Sequence, residues 1–383
     1  METVWSTAFL YLFTFLSSII TFYFAERNEN RKARCFILLC ISIMIPTIIA
    51  ALRADTVGAD TAGYGTLGFK YLMSYRSLGD VFNNSEWLFY TIGYAITRVT
   101  DNVGWWLGII EFLVICPFTI GVWKLRKRLP ATFLIALFYF KFYNYSLCIM
   151  RQSISCSLLF LAIVLYHEKK YFKMVVLALA SVSVHSSGLA ILLVVIAVEI
   201  YLYISAKKNK KKKNRSIIFP VAVIVSYFCF ISLVNLFVSK GIIPQIYIER
   251  FLPEISGNGG GMSNVLIFES IYRMIYLGMI YLIRDTKTSE ELSDMINLSI
   301  IGNMVYIVFG IGFGTGTIYR LTETFDFCNL VAISLFAQTR CIRVGHKNVQ
   351  RELIMLLAIL YWAIVYMIFP GGIGFQTEIF KFR

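Results

Sequence analysis

The chain has little charge and few breaks in its apolar sequence. Only 15% of its 383 residues are charged, compared with about 25% in an average soluble domain. Hydrophobic residues make up 58% of the chain, and apolar runs of helix length follow one another throughout. This composition predicts an all-α, polytopic membrane protein. No gap would hold a separate soluble domain, so we expect residues 1–383 to form one transmembrane domain.

Several kinds of site are missing from the sequence. No cysteine lies in the two long loops at 53–103 and 239–264, and none has metal-ligand spacing with a histidine. Neither a disulfide framework nor a zinc site is expected. The glycine run Gly257–Gly261 lacks the Gly-Lys-Ser/Thr end of a phosphate loop, and the alternating glycines Gly310–Gly316 follow no strand. We therefore expect no metal and no cofactor.

The net charge of +14 is concentrated in short gaps between apolar runs. Six gaps hold 24 of the 36 basic residues: 27–34, 124–128, 169–173, 207–215, 284–287 and 340–351. Cytoplasmic loops of membrane proteins attract such clusters, so these gaps are predicted to lie inside. The most basic loop, 206–216, is better explained as a topology anchor near anionic lipid than as a nucleic-acid patch.

With these gaps inside, about twelve spans follow, and both ends of the chain are expected outside. The predicted spans are 4–24, 35–52, 104–123, 131–147, 150–167, 171–185, 187–205, 217–238, 265–283, 295–313, 321–338 and 353–369. The first run has no basic residue before it and no cleavage site after it, which indicates a retained span. The apolar stretch 86–98 is too short to cross and suits a re-entrant or amphipathic helix on the outer side.

Twelve basic residues remain outside the inner clusters, and eight of them are arginines. They are Arg53, Lys70, Arg76, Arg98, Lys141, Arg151, Lys240, Arg250, Arg273, Arg320, Lys381 and Arg383. Four of the arginines lie at or inside a predicted helix end: Arg53, Arg151, Arg273 and Arg320. Ionisable groups at membrane depth are costly and are functional candidates, and arginine binds phosphate oxygens with two parallel hydrogen bonds. These four are predicted to hold a polyanionic head group, although single arginines also reach lipid phosphates.

The outer side also carries candidate acid–base groups. His185 is the one histidine predicted to lie outside, and it could act as a general base or bind a phosphate. Asp55 and Asp60 lie on either side of Gly58; either could pair with Arg53, or one could deprotonate a sugar hydroxyl. Arg320 and Glu323 are spaced i, i+3 and could simply neutralise each other on one helix face.

These residues resemble the EpsG family of Wzy-type polymerases, which build bacterial capsule, exopolysaccharide and O-antigen. The similarity lies in Arg53…Gly58-Ala-Asp60-Thr…Tyr64, in Arg151-Gln152 after a short apolar hairpin, and in His185-Ser186 in the next hairpin. Arg320, at the start of a late helix after an outer glycine turn, also fits. The similarity is most specific over residues 45–190.

The resemblance implies glycosyl transfer at the outer face of the bacterial inner membrane. The substrate would be an oligosaccharide repeat unit on undecaprenyl pyrophosphate, and the lipid pyrophosphate would leave. We expect catalysis by His185 or Asp60 and pyrophosphate binding by the four arginines. Further substrate contacts are expected from Gln152, Tyr64, Arg250, Asp55 and Glu323. A chain-length regulator is an open partner. A lipid-linked oligosaccharide flippase, an O-antigen ligase and a non-catalytic scaffold remain alternatives.

Overall fold

The computed structural model describes residues 3–208, 223–225, 240, 264–283, 291–339, 342–344, 347–368 and 379–383. Almost all of the expected span 217–238 lies outside these residues, as does Arg250. The chain forms two compact units. The first consists of Met1–Leu192, Arg340–Gly371 and Phe375–Arg383, and the second of Leu193–Thr339 and Gly372–Gly374. Each unit is described by itself.

The described residues are almost entirely helical. Ten helices come first: α1 (Val4–Arg27), α2 (Lys32–Ala51), α3 (Gly68–Ser74), α4 (Leu78–Phe82), α5 (Trp87–Thr97), α6 (Val103–Leu125), α7 (Ala131–Phe138), α8 (Asn144–Cys148), α9 (Met150–His167) and α10 (Tyr171–Val184). They are followed by α11 (Ser187–Lys208), α12 (Asn264–Leu282), α13 (Ser293–Phe336) and α14 (Gln350–Trp362). π-Helical turns occupy Thr61–Leu67, Tyr139–Tyr143 and Ala363–Ile368, and a small antiparallel hairpin joins β1 (Arg343–Val344) to β2 (Lys347–Asn348).

Six helices among the described residues are long and apolar enough to cross a membrane. They are Val4–Arg27, Lys32–Ala51, Val103–Leu125, Met150–His167, Ser187–Ile204 and Gln350–Ile368. Two further apolar helices are shorter, Tyr171–Val184 and Ser293–Phe309. The membrane class is therefore confirmed, while the expected dozen spans stays a prediction. Helix α5 has 11 residues, or about 16 Å at 1.5 Å per residue, which is too short for a span, as expected.

A proline in α2 shows how the first unit is held together. Pro46 lies inside the helix and has no N–H to donate to the carbonyl of Ser42. The hydroxyl of Ser18, on α1, donates to that carbonyl at 2.6 Å and also lies 2.7 Å from the hydroxyl of Tyr139. The carbonyl of α2 that Pro46 leaves without its helical donor is thus satisfied by a hydroxyl of α1. Hydrogen bonds of this kind are favoured inside a membrane, where water does not compete.

One end of the first unit carries the basic gaps that were predicted to lie together. Arg126 Nε is 3.1 Å from a carboxylate oxygen of Glu29, and Lys124 Nζ is 2.7 Å from Glu168. These ion pairs join the loops after α1, α6 and α9. Three of the six basic clusters therefore share one end of the unit.

The opposite end joins the start of α1 to residues 379–383. The backbone N–H of Phe380 donates to the hydroxyl of Thr7 at 2.9 Å, and the N–H of Ala54 donates to the carbonyl of Lys381 at 2.8 Å. The start of α1, the end of α2 and residues 379–383 consequently lie at the same end. This shared end agrees with the expectation that both ends of the chain lie on one side.

Helix α13 is continuous by local geometry but cannot be straight. A Cβ added to Gly302 would lie 2.2 Å from the Cβ of Phe325, and Asn303 Nδ2 donates to Asn329 Oδ1 at 2.6 Å. In a straight helix, residues 303 and 329 would be about 39 Å apart, at 1.5 Å per residue. The chain therefore reverses between Asn303 and Phe325. This reversal agrees with the two helices expected at 295–313 and 321–338.

Candidate active site

Four segments bring charged and aromatic side chains together at one end of the first unit, the end opposite the basic loops. Arg151 lies in the first turn of α9, and Glu86 immediately precedes α5. His185 ends α10 in an extended conformation, and Tyr64 lies on the π-helical turn Thr61–Leu67. The expectation that the Arg53–Tyr64 stretch, Arg151 and His185 lie at the same end is therefore confirmed.

Arg151 is held by one carboxylate and two rings. Its Nη1 forms an ion pair with Glu86 Oε2 and lies 3.5 Å from the hydroxyl of Tyr90. Its guanidinium carbon is 3.7 Å from the ring centre of Tyr64 and 6.0 Å from that of Phe89. A planar guanidinium stacks on an aromatic face in a way that a lysine ammonium does not. The ion pair therefore compensates the charge of Arg151, and the rings fix the orientation of its guanidinium.

The local helix geometry explains why Arg151 needs this carboxylate. A positive charge in the first turn of a helix faces the positive end of the helix dipole, which is unfavourable. A negative charge at the start of a helix is favourable, and Glu86 lies at the start of α5. The ion pair therefore offsets the electrostatic cost of placing Arg151 at the start of α9. Its partner Glu86 is itself stabilised by the dipole of α5.

His185 binds the second oxygen of the same carboxylate. Its Nε2 is 3.5 Å from Glu86 Oε1, while its Nδ1 lies 2.7 Å from the hydroxyl of Ser187. The backbone N–H of Ser187 also donates to Nδ1, at 3.2 Å. Because a backbone N–H can only donate, Nδ1 is an acceptor, and the neutral imidazole carries its proton on Nε2, facing Glu86. This is the tautomer in which Nδ1 can receive a proton.

Glu86 is therefore the residue that joins the site, and it was not among the sequence candidates. Only 7% of it is exposed, and its two oxygens contact one cation and one imidazole. Next to it, burial raises the pKa of the Tyr90 hydroxyl, so that this group stays protonated and can donate a hydrogen bond. The sequence signal for Glu86 is an acidic residue directly before a short apolar helix that is expected on the outer side.

Arg53 is not placed to meet a pyrophosphate, contrary to the sequence expectation. It is fully buried; Nη1 donates to the carbonyl of Ala50 at 2.9 Å, and Nε donates to the hydroxyl of Thr61 at 3.3 Å. A cation that binds the last carbonyls of a helix is stabilised by the helix dipole. Arg53 therefore caps α2 and ties it to the start of the turn that carries Tyr64.

The two aspartates of this stretch have different surroundings. Asp55 forms an ion pair with Arg383, not with Arg53, and accepts a hydrogen bond from Thr66 at 2.7 Å. Asp60 is half-buried at the start of the π-helical turn. Between them Gly58 has a φ of +95°, and a Cβ there would lie 2.3 Å from the carbonyl oxygen of Leu147. Only glycine fits this position without strain.

Gln152 follows Arg151 on α9 but is 3% exposed, so it faces the interior of the unit rather than a substrate. Its expected role as a substrate contact is not supported by this position. Tyr64, by contrast, is exposed and forms the outer wall of the site.

Arg273, in the second unit, also forms ion pairs within the protein. Arg273 Nη1 and Nη2 bind Asp326 Oδ1 and Oδ2 at 2.7 and 2.6 Å, and Nε is 3.3 Å from Glu269. The guanidinium also lies over the ring of Tyr306 at 4.2 Å. Arg273 is fully buried, and its ion pairs join α12 to α13. It is therefore not presented to a pyrophosphate, contrary to the sequence expectation.

Three remaining candidates are only partly placed or not placed. Glu323 is fully buried on α13. The backbone of Arg320 belongs to α13, in the part over which the chain reverses, but its side chain lies outside the described residues. Arg250 lies outside them altogether. Their roles stay predictions.

The fold and the site together define an all-helical membrane protein with a charged, aromatic-lined cluster at one end of its first unit. The model of the EpsG family matches residues 36–375, and the chain therefore belongs to the EpsG family. Membership indicates a membrane protein of polysaccharide biosynthesis. No curated protein and no solved structure matches the chain.

Proposed function

We propose that this protein is a polysaccharide polymerase of the bacterial inner membrane, with its active site at the outer face. It would join oligosaccharide repeat units carried on undecaprenyl pyrophosphate. The observation that supports this best is the trio of Arg151, Glu86 and His185, in which one buried carboxylate orients both a fixed arginine and an imidazole. Such a trio supplies an anion-binding group and a base side by side.

In the proposed reaction, His185 takes the proton of the acceptor hydroxyl through Nδ1. The hydroxyl of Ser187, now 2.7 Å from that nitrogen, marks where an acceptor hydroxyl would lie. Glu86 stabilises the resulting imidazolium through Nε2. Asp60 remains the alternative base, because it is half-buried on the turn that carries Tyr64.

The bond changes balance without a cofactor. The acceptor oxygen forms a new bond to the anomeric carbon of the donor, and the bond from that carbon to the pyrophosphate oxygen breaks. The electron pair leaves with the lipid pyrophosphate, whose growing charge Arg151 would stabilise. Losing one well-placed donor of this kind costs about 100- to 1,000-fold in other enzymes. A flippase would need no such base, and a ligase would differ in its acceptor.

The test is a set of variants expressed in cells that lack the native gene. His185→Ala should insert normally but leave single repeat units where the wild type makes long chains. His167→Ala is the matched control. Helix α9 begins at the candidate site and ends at His167, so this histidine lies at the far end of the helix from the site. It should keep the wild-type length distribution. Normal chains from His185→Ala would remove His185 from the mechanism.

Arg151→Lys separates a charge from a shaped contact. Lysine keeps the positive charge but loses the plane that stacks on Tyr64, so polymer yield should fall. Full activity would mean that Arg151 acts only as a charge. Purified protein with a lipid-linked repeat unit should give a ladder of products; transport of the lipid without a ladder would favour the flippase.

A further inference from the structure

A groove opens between α6, α9 and α10 at the basic end of the first unit, away from the candidate active site. Its volume is about 390 Å³, within the range of about 300–1,000 Å³ that is usual for ligand pockets. Six of its nine lining residues are apolar: Ile120, Leu161, Leu165, Phe172, Val176 and Leu177. Because α6 and α9 are long and apolar enough to span a membrane, such a groove is suited to a hydrocarbon chain.

The other three lining residues are lysines, and they gather at one end of the groove. Lys124 lies in the last turn of α6, Lys170 directly precedes α10, and Lys173 lies in the first turn of α10. The Nζ atoms of Lys124 and Lys170 are each 2.7 Å from Glu168 Oε2, so one carboxylate holds both lysines at the mouth. Lys173 is exposed beside them. Three ammonium groups and one carboxylate leave this mouth with a local charge of +2.

The apolar surface continues from the groove along α10. Phe172, Val176 and Leu179 are exposed, and their spacing of four and three residues places them on one face of the helix. Phe172 and Val176 line the groove, and Leu179 extends the same face towards the middle of the helix. Tyr171, also exposed, begins α10 beside the lysines, and tyrosine is enriched at the level of lipid head groups. Charge, groove and apolar face therefore follow one another in the order of a head group and its chain.

We propose that this groove binds an anionic phospholipid. The lipid phosphate lies against Lys124, Lys170 and Lys173, the first part of one acyl chain enters the groove, and the rest follows the exposed face of α10. Basic pockets between membrane helices on the cytoplasmic side favour anionic lipids, and this end carries the clusters that were predicted to lie inside. A zwitterionic lipid offers the same chain but no net charge to match the lysines. A free anion would use the lysines and leave the apolar walls unfilled.

A lipid bound here joins helices whose other ends carry the candidate site. Helix α9 begins beside Arg151 and ends next to Glu168, and α10 begins next to Lys170 and ends beside His185. The head group and chain contact both helices together with α6, so their binding stabilises this part of the first unit. The inference does not depend on the proposed polymerase activity, because the groove lies at the opposite end from the candidate site.

The first test measures lipid binding to the purified full-length protein by native mass spectrometry. Phosphatidylglycerol and phosphatidylcholine with identical acyl chains are titrated separately, and the wild type should bind phosphatidylglycerol more tightly. Lys170→Gln combined with Lys173→Gln should weaken phosphatidylglycerol binding about 30-fold, because each lysine near anionic lipid contributes a factor of about five. Binding of phosphatidylcholine should not change.

The matched control removes the same charge at the same end of the unit. Lys32→Gln combined with Lys127→Gln changes two exposed lysines that do not line the groove, and it should keep the wild-type affinity for phosphatidylglycerol. An equal loss in this control would mean that only the overall charge matters, and the proposal would be wrong. Equal affinity of the wild type for the two lipids would overturn it as well.

A second pair of variants tests the groove itself. Val176→Trp fills the groove without changing charge and should weaken phosphatidylglycerol binding, whereas Val175→Trp, at a similarly exposed position that does not line the groove, should not. Phosphatidylglycerol should also raise the thermal midpoint of the wild type, and inorganic phosphate should not.

Three results would contradict the role of the groove. Unchanged phosphatidylglycerol binding in Val176→Trp would show that the chain does not enter it, and equal protection by inorganic phosphate would assign the lysines to a free anion. A dimer in detergent that Val176→Trp dissociates would show that a second copy of the chain, rather than a lipid, occupies the groove.

Discussion

Replacing Glu86 by glutamine is the sharpest test of the proposed catalytic trio. Glutamine keeps the shape and the hydrogen-bonding oxygen of the side chain but removes the charge that faces His185 and Arg151. If His185 is the base, its protonated form gains from the carboxylate in the transition state, and the variant loses that gain. The substitution should therefore lower the rate of polymerisation while the protein remains folded.

The size of the loss follows from the geometry. Nε2 and Oε1 are 3.5 Å apart, so an imidazolium and a carboxylate attract by about 1 kcal/mol in water and about 5 kcal/mol at an effective dielectric constant of about 20. Arg151 shares the carboxylate, and 23% of the imidazole side chain is exposed. Both facts place the value near the middle, at about 2–3 kcal/mol, or about 30- to 150-fold in rate.

The assay is the initial rate of ladder formation by purified protein with a lipid-linked repeat unit. Glu29→Gln, which removes a carboxylate from an ion pair at the opposite end, is the matched control. A wild-type rate in Glu86→Gln would refute the orienting role.

Two further substitutions test the framework, and both are read by thermal or denaturant unfolding. Gly58→Ala should destabilise by about 1–3 kcal/mol because of the positive φ and the close carbonyl, whereas Gly63→Ala, which has open space around it, should change little. Asp326→Asn should cost about 3–5 kcal/mol, because it leaves the buried Arg273 without half of its paired charge. Glu352→Gln, on an exposed position, is its control; a similar loss there would contradict a specific ion pair.

Hydropathy and basic clusters were sufficient to place most of the helices. The expected spans at 104–123 and 150–167 correspond closely to Val103–Leu125 and Met150–His167. The shared end of Arg151 and His185 also followed from topology, since each was expected at the turn of a short hairpin. These features depend on the period and length of apolar runs, which a single sequence carries.

Glu86 could not be singled out in the same way. Its sequence neighbours mark only a helix start, and its importance arises from two residues that are 65 and 99 positions away. Long-range pairing of this kind is a property of how helices pack, and one sequence does not display it. The same reason explains Arg273, whose partner Asp326 lies 53 residues further along the chain.

Arg53 shows why charge at membrane depth does not by itself identify a binding group. Burying an arginine at membrane depth costs free energy, so its charge must be compensated. The compensation, however, came from the protein: a helix carbonyl, a threonine and a nearby carboxylate. Arg151 differs because the rings of Tyr64 and Phe89 surround it on the side where Tyr64 is exposed. Exposure of the surrounding groups, rather than the charge itself, separates Arg151, which we propose binds an anion, from Arg53, which holds the fold together.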